Sequence, residues 1–490
     1  EALARLGHTS AADQAYAFVW DKAHFAYVER HDESFDRWEK LARASLPPVY
    51  FFYRQSPLKL VAENRDGQVR RDDPPPDQPG MAEVVLDPSG RLLSFAAVPP
   101  RVEAPQSWPE PEWTALFREA EIDPASLQPV APQWTAPVDN DRKAAWEGRY
   151  PGDPAIAVRI EAAAYHGRPV WFAVLPPWAT VAAPSVPSPT PVGTLSVMLL
   201  AIAMPLGGVL LARRNIRLGR GDRKGAFRVA LFVFLAYATA RLFRADHVAS
   251  FGQELWILIK VFAYPCFWAA QVWVLYMALE PFARRRWPQV LISWKRLLAG
   301  HLRDPLVGRD VLLGTAVGVP LLLTFIAGAV APLAWGEPPH SPGSLLDGSV
   351  LSSLRQAVFR AFVNQYSAVL FGMVFLFILT LLRMLVRKAW LAAILWGIVM
   401  STPNGFEHPA LGVVRAVVML GLLLRGGLLP LVVALYVVYS ALEVPITLDF
   451  SAWFAVQGFP VIGAIVALAV YGFYTSLGGK PMFGGGLLED

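Results

Sequence analysis

QYSAVLFGMVFLFILTLLRMLV, residues 365–386, decides how this chain is read. Its one charge, Arg383, stands near an end, and every other position is apolar or weakly polar. A membrane-crossing helix needs about 20 such residues. Comparable runs occupy Thr194–Ala212, Ala226–Phe243, Leu255–Leu279, Val311–Leu333, Ala389–Ser401, Leu411–Leu424, Leu428–Leu442 and Trp453–Tyr474. The expectation is an all-α polytopic bundle of about nine helices over 194–475, in which the sixth, seventh and eighth runs are short enough to be tilted, re-entrant or wrongly divided.

Upstream the composition changes. Residues 1–190 carry 19 Lys and Arg against 26 Asp and Glu, a net −7, whereas 191–490 carry 25 against 13, a net +12. Mean hydropathy is +0.37. An acidic, polar half joined to a basic, apolar half implies two kinds of domain. The basic residues sit in short connections: 213–228, 284–309 and Arg387-Lys388. That pattern sets membrane orientation and argues against nucleic acid, since no basic face carries a reading motif. By this rule residues 1–180 lie outside the cytoplasm, and the tail 476–490 lies inside. Val181–Val192 (VAAPSVPSPTPV) is Pro-rich, an extended tether over about 181–193. Cys266 is the single cysteine, so no disulfide within the chain supports the outer domain. The chain opens at Glu1 without Met, and a preceding segment is expected.

The outer domain reads as α+β. Ser34–Ala44 has helical period, with Ser34 as N-cap. Val49–Pro57 (VYFFYRQSP) is an aromatic strand, and Arg65–Pro79, charged and Pro-rich, reads as a mobile loop. A hairpin follows, turning at Asp87-Pro88-Ser89-Gly90. Its register Gly90-Arg91-x-x-x-Phe95-Ala96-x-x-Pro99-Pro100 recurs as Gly167-Arg168-x-x-x-Phe172-Ala173-x-x-Pro176-Pro177. A duplicated helix-plus-hairpin unit is therefore expected, in repeats of about 1–100 and 111–178 with superimposable hairpins.

Candidate sites are few. Asp246 and His247, with Glu254, stand at the outer mouth of two spans, a group able to bind a ligand or sense protons. On the inner side, Arg284, Arg285, Arg286, Trp287, Trp294, Lys295 and Arg296 belong to an amphipathic stretch of about 284–303. Its helix is expected to lie in the membrane interface, against anionic lipid or a partner. His301-Leu-Arg-Asp304 departs from a kinase catalytic loop, which needs His-Arg-Asp and a following Asn. No motif for catalysis or for a metal site appears in the sequence.

ALARLGHTSAADQAYAF (2–18), VYFFYRQSP (49–57), GMAEVVLDPSGRLLSFAAVPP (80–100), LARRNIRLGRGDRKGAFR (211–228), the run 279–314 (LEPFARRRWPQV through GRDVLLG) and GGKPMFGGGLLED (478–490) carry a resemblance. On them the chain resembles the C-terminal, non-catalytic region of acidobacterial-type membrane-bound serine/threonine protein kinases. The resemblance implies a bacterial inner-membrane protein whose kinase domain precedes Glu1. It implies ATP and Mg only for that attached domain, with no cofactor in this chain. The function it implies is a sensor and anchor relaying an outside signal inward. The alternative is a transporter or lipid-handling protein. Expected partners are the bilayer with its anionic inner leaflet and the attached or associated kinase domain. A second copy of the chain, as a homodimer, is left open.

Overall fold

A computed structural model describes residues 1–9, 11–64, 66–102, 107–180, 191–341, 348–401, 409–447, 449–452 and 454–479. The expected tether at 181–193 falls outside them up to 190, and the expected tail from 480 on. The chain forms two compact units. One is Glu1–Pro187 with Arg244–Leu258 and Ser341–Ser353, and the other is the remainder.

The first unit is built on one eight-stranded antiparallel sheet. In chain order its elements are α1 (Ala2–Arg5), β1 (Asp13–Trp20), α2 (Lys22–His31), α3 (Arg37–Ala42), β2 (Val49–Ser56), β3 (Ala82–Leu86), β4 (Leu92–Ala97), α4 (Thr114–Ala120), β5 (Gln128–Val130), β6 (Arg142–Tyr150), β7 (Asp153–Tyr165) and β8 (Arg168–Leu175). The strand order is β1-β2-β3-β4-β8-β7-β6-β5. It is palindromic about the β4–β8 pair, where Phe95 lies opposite Phe172. These are the equivalent residues of the repeated Gly-Arg-x-x-x-Phe register. Both face the main core with Leu3 of α1 and Leu116 and Phe117 of α4.

Strand alternation divides the sheet into two faces. Val84, Phe95, Phe172 and Val174 point to the helices, whereas Trp171 and Ala173 join a small cluster on the other face with Ala136 and Ala163. Asp87 organises the first hairpin turn. Its carboxylate accepts from the Ser89 and Arg91 backbone N–H groups at 2.9 and 3.0 Å and from Arg91 Nε at 2.7 Å. The second hairpin turns on His166 and Gly167, both at positive φ. A Cβ on Gly167 would sit 2.5 Å from the Pro109 carbonyl, so glycine is required there. The helix expected from Ser34 starts three residues later, after Asp36, and Phe35 is exposed. The Ser34 hydroxyl accepts from Lys40 Nζ instead of capping the helix.

His24 of α2 is 3% exposed and stacks on Trp178, with ring centroids 3.6 Å apart. Burial lowers its pKa to about 4 from the ordinary 6.5. The unfolded chain binds this proton more readily, so stability is untouched above pH 6.5 and falls as the pH drops from 6.5 toward 4. The loss expected is about 3 kcal/mol. Denaturant unfolding of the sheet unit in the detergent-solubilised chain, at stepped pH, should show that slope, and His24→Phe should flatten it.

The second unit is helical: α5 (Pro191–Arg217), α6 (Arg223–Arg244), α7 (Phe251–Arg286), α8 (Ile292–Leu298), α9 (Pro305–Val330), α10 (Leu354–Val386), α11 (Ala389–Ser401), α12 (Pro409–Gly421), α13 (Leu428–Leu442) and α14 (Phe459–Ser476). The ends of α6 and α7 that meet at 244–258 belong to the sheet unit. Among the described residues five helices are long and apolar enough to cross a membrane: 223–244, 251–286, 305–335, 354–386 and 455–476. Two apolar helices, 389–401 and 428–442, are shorter. This is the pattern of a multi-pass membrane protein, with five candidate spans where the sequence reading counts about nine.

Almost every residue of α13 is buried, as for a helix apolar all round that is enclosed by protein. Glycines let neighbours close on it. Gly314 and Gly318 of α9 face Pro430, Val433, Ala434 and Val437, and Gly372 of α10 faces Val432.

Candidate functional site

The sheet face opposite α1 and α4 carries a groove. Two adjoining cavities of about 450 and 460 Å³ share Arg71, Ser94 and Trp171. One continues to Arg54, Glu83 and Val138, and the other to Tyr50, Trp134 and Trp178. Strand alternation places Glu83, Ser94 and Trp171 on this face. Arg71, from the β2–β3 connection, reaches over them, and its Nε donates to Glu83 Oε1 at 2.6 Å. Burial raises the Glu83 pKa, against the pull of Arg71. Aromatic walls around a cation and a carboxylate suit a small organic solute with one flat apolar face and a few hydrogen-bonding groups.

The β2–β3 connection, whose Pro and charge content suggests a mobile loop, is held at several points by hydrogen bonds and an ion pair. Arg54 of β2, 2% exposed, donates to the carbonyls of Arg70, Arg71 and Pro74 at 2.6, 3.0 and 2.7 Å. The Asp73 carboxylate accepts from the Glu63 and Asn64 backbone N–H groups, both at 2.8 Å. Asp66 pairs with Arg70 at 2.7 Å.

The same connection meets one of the residues singled out in the sequence. Asp246 Oδ2 accepts from the Val69 N–H at 2.8 Å, and the Asp246 N–H donates to the Gly67 carbonyl at 2.7 Å. His247 and Glu254 form a separate pair. His247 Nδ1 lies 3.0 Å from Glu254 Oε2, and Glu254 Oε1 accepts from the Val248 N–H at 2.5 Å. The structure thus brings His247 to Glu254 and sends the Asp246 carboxylate to the groove-lining connection. Among the described residues no three His, Cys, Asp or Glu are placed to hold a metal.

The residues expected at the inner membrane face are arranged differently from expectation. Residues 284–303 are not one helix. Arg284, Arg285 and Arg286 end α7, Pro288–Leu291 is a 3₁₀ turn, and only Ile292–Leu298 is α-helical. Its apolar side packs on protein, with Val290, Leu291 and Trp294 in the core of the helical unit and Trp287 beside it. Glu280, 1% exposed, pairs with Lys295 Nζ at 2.5 Å and with Arg284 at 3.5 Å. Arg296 pairs with Asp304, whose carboxylate caps α9 at Leu306. Lys295 and Arg296 therefore already hold protein carboxylates. Sequence reading missed Arg54 and Arg71, since neither lies in a motif and their partners are backbone carbonyls and a carboxylate on another strand.

No protein-family model matches the chain, and no curated protein or solved structure matches it.

Proposed function

We propose that the chain is a membrane sensor and anchor, in which the sheet unit takes a solute outside the cytoplasm and passes its presence to the helices. One observation carries this reading: the connection that lines the groove through Arg71 and Asp72 is the one held by Asp246. A solute that shifts that connection pulls on residues 244–258, where α6 ends and α7 begins. The palindromic strand order supports reading the sheet as a duplicated unit. The basic connections support a bacterial inner-membrane topology of about nine spans with a cytoplasmic C-terminus. The output would be the serine/threonine kinase domain that the sequence resemblance implies.

Asp246→Ala tests the linkage. Removing an acceptor from a part-buried amide costs about 1–3 kcal/mol, so amide exchange at Val69 should accelerate roughly tenfold or more. A solute found by thermal-shift screening of the full chain in nanodiscs should protect both 66–76 and 244–258. In Asp246→Ala, protection should persist at 66–76 and weaken at 244–258, where the backbone N–H of position 246 still donates to the Gly67 carbonyl. Protection at 244–258 as strong as in the wild-type chain would end the relay reading.

A transporter or lipid-handling protein is the second reading. It is favoured by an apolar cavity of about 820 Å³ among the helices. Substrate-dependent flux in liposomes would decide for it.

A further inference from the structure

The cavity in the helical unit has a chemistry that names its occupant. Its walls come from α6, α8, α9, α10, α13 and α14, and nearly all are aliphatic or aromatic: Phe232, Leu298, Val369, Val432 and Leu468 among them. Among the described residues, Arg228 is the only ionisable lining residue besides two tyrosines, and no carboxylate lines the cavity. Arg228 is exposed, and its Nη1 donates to the Leu298 carbonyl at 2.9 Å. Trp294 lines the same cavity at 3% exposure, and its Nε1–H has no acceptor among the described residues. A buried indole N–H without a partner is costly, and an oxygen-bearing ligand would relieve it.

Depth and position fit one leaflet. The lining runs from Leu429 to Tyr436 on α13 and from Ala464 to Tyr471 on α14. Seven residues of helix rise about 10 Å, within the ~15 Å half-thickness of the hydrocarbon core. Arg228 closes the basic connection 213–228, so the polar end of the cavity lies on the side where headgroups meet cationic side chains. Val229 and Phe232 of α6 and Ala464, Ala467 and Leu468 of α14 both contribute to the lining.

We propose that this cavity holds an anionic phospholipid drawn from the adjoining leaflet. Its acyl chains lie on the aliphatic lining, its headgroup phosphate is at Arg228, and an ester or phosphate oxygen accepts from Trp294 Nε1–H. The site is independent of the sheet groove and of any signal read there.

The test uses the full chain in nanodiscs and phosphatidylglycerol as probe, against phosphatidylcholine. After transfer to detergent, native mass spectrometry should find about one phosphatidylglycerol retained per chain, at least fivefold over phosphatidylcholine. Arg228→Gln should remove that preference. Ala464→Phe with Ala467→Phe, which fills the cavity, should abolish retention of both lipids. Dibrominated phosphatidylglycerol should quench a component of the fluorescence that is missing in Trp294→Phe, a readout that needs no cavity-filling variant. Equal retention of the two lipids, retention unchanged in the filled variant, recovery of a free fatty acid only, or a Trp294 component that bromine leaves unquenched would each overturn the proposal.

Discussion

Gly314→Val is expected to stop the helical unit from assembling, and Gly314→Ala to weaken it by about 2 kcal/mol or more. A Cβ at Gly314 would lie 2.6 Å from the Pro430 carbonyl oxygen and 2.7 Å from Val433 Cβ. The first of these is backbone of the most enclosed helix, α13, so it cannot rotate away as a side-chain end would. Overpacking a closed core costs about 1–3 kcal/mol, and more when backbone must move. Alanine regains up to about 1 kcal/mol of helix propensity over glycine, which is too little to offset the clash. Gly318, one turn on, meets Val437 Cβ at 2.9 Å and should respond in the same direction. Gly421→Ala is the control, since nothing lies within 4 Å of its Cβ position, and it should be neutral or slightly stabilising. Unfolding midpoints of the detergent-solubilised variants, with the yield of monodisperse chain, give the answer. A wild-type midpoint for Gly314→Ala would mean that α9 and α13 are not packed as closely as described.

That glycine pair was within reach of the sequence, because Gly314-Thr-Ala-Val-Gly318 has the spacing that lets membrane helices approach. It went unread because hydropathy alone marks where a helix can cross and says nothing of which side meets protein. The same blindness explains residues 288–302. Their apolar period is real, but lipid and protein interior are alike to such a stripe, and here protein covers Val290, Leu291 and Trp294. In the sheet unit, local chemistry was decisive where it was local. The aromatic run Val49–Ser56 is a strand, and the turn residues around Gly90 and Gly167 lie where their hairpins turn. The groove was not legible. Its loop looks like a linker in composition, and what holds it is Arg54 on a neighbouring strand and Asp246, some 180 residues away in sequence. Side chains that bond to backbone carbonyls leave no spacing rule to recognise.

Arg54 should therefore be the residue whose loss empties the candidate site. Burial lowers its pKa, yet arginine stays charged in proteins, so the charge persists and is met by carbonyl dipoles at Arg70, Arg71 and Pro74. A planar fork is what reaches several acceptors at once, and lysine offers a single point of donation. Arg54→Met removes the donors while keeping much of the apolar stem, and it strands three carbonyls beneath the loop. Each unsatisfied buried acceptor costs about 1–3 kcal/mol, but water will enter once the loop lifts, so about 3 kcal/mol in total is expected. The loop rather than the sheet should yield. Amides between Val69 and Asp73 should exchange about a hundredfold faster, while those of β7 and β8, on the far side of the β4–β8 seam, keep their protection. Arg54→Lys should fall between the two. Arg71 would then lose its fixed reach to Glu83, and any solute that stabilises the wild-type chain through the groove should fail to stabilise Arg54→Met. Unchanged exchange at 69–73 would show that Asp73 and Asp246 hold the loop without Arg54. Faster exchange throughout β7 and β8 would mean that Arg54 supports the whole sheet, and its role as keeper of the groove would be lost.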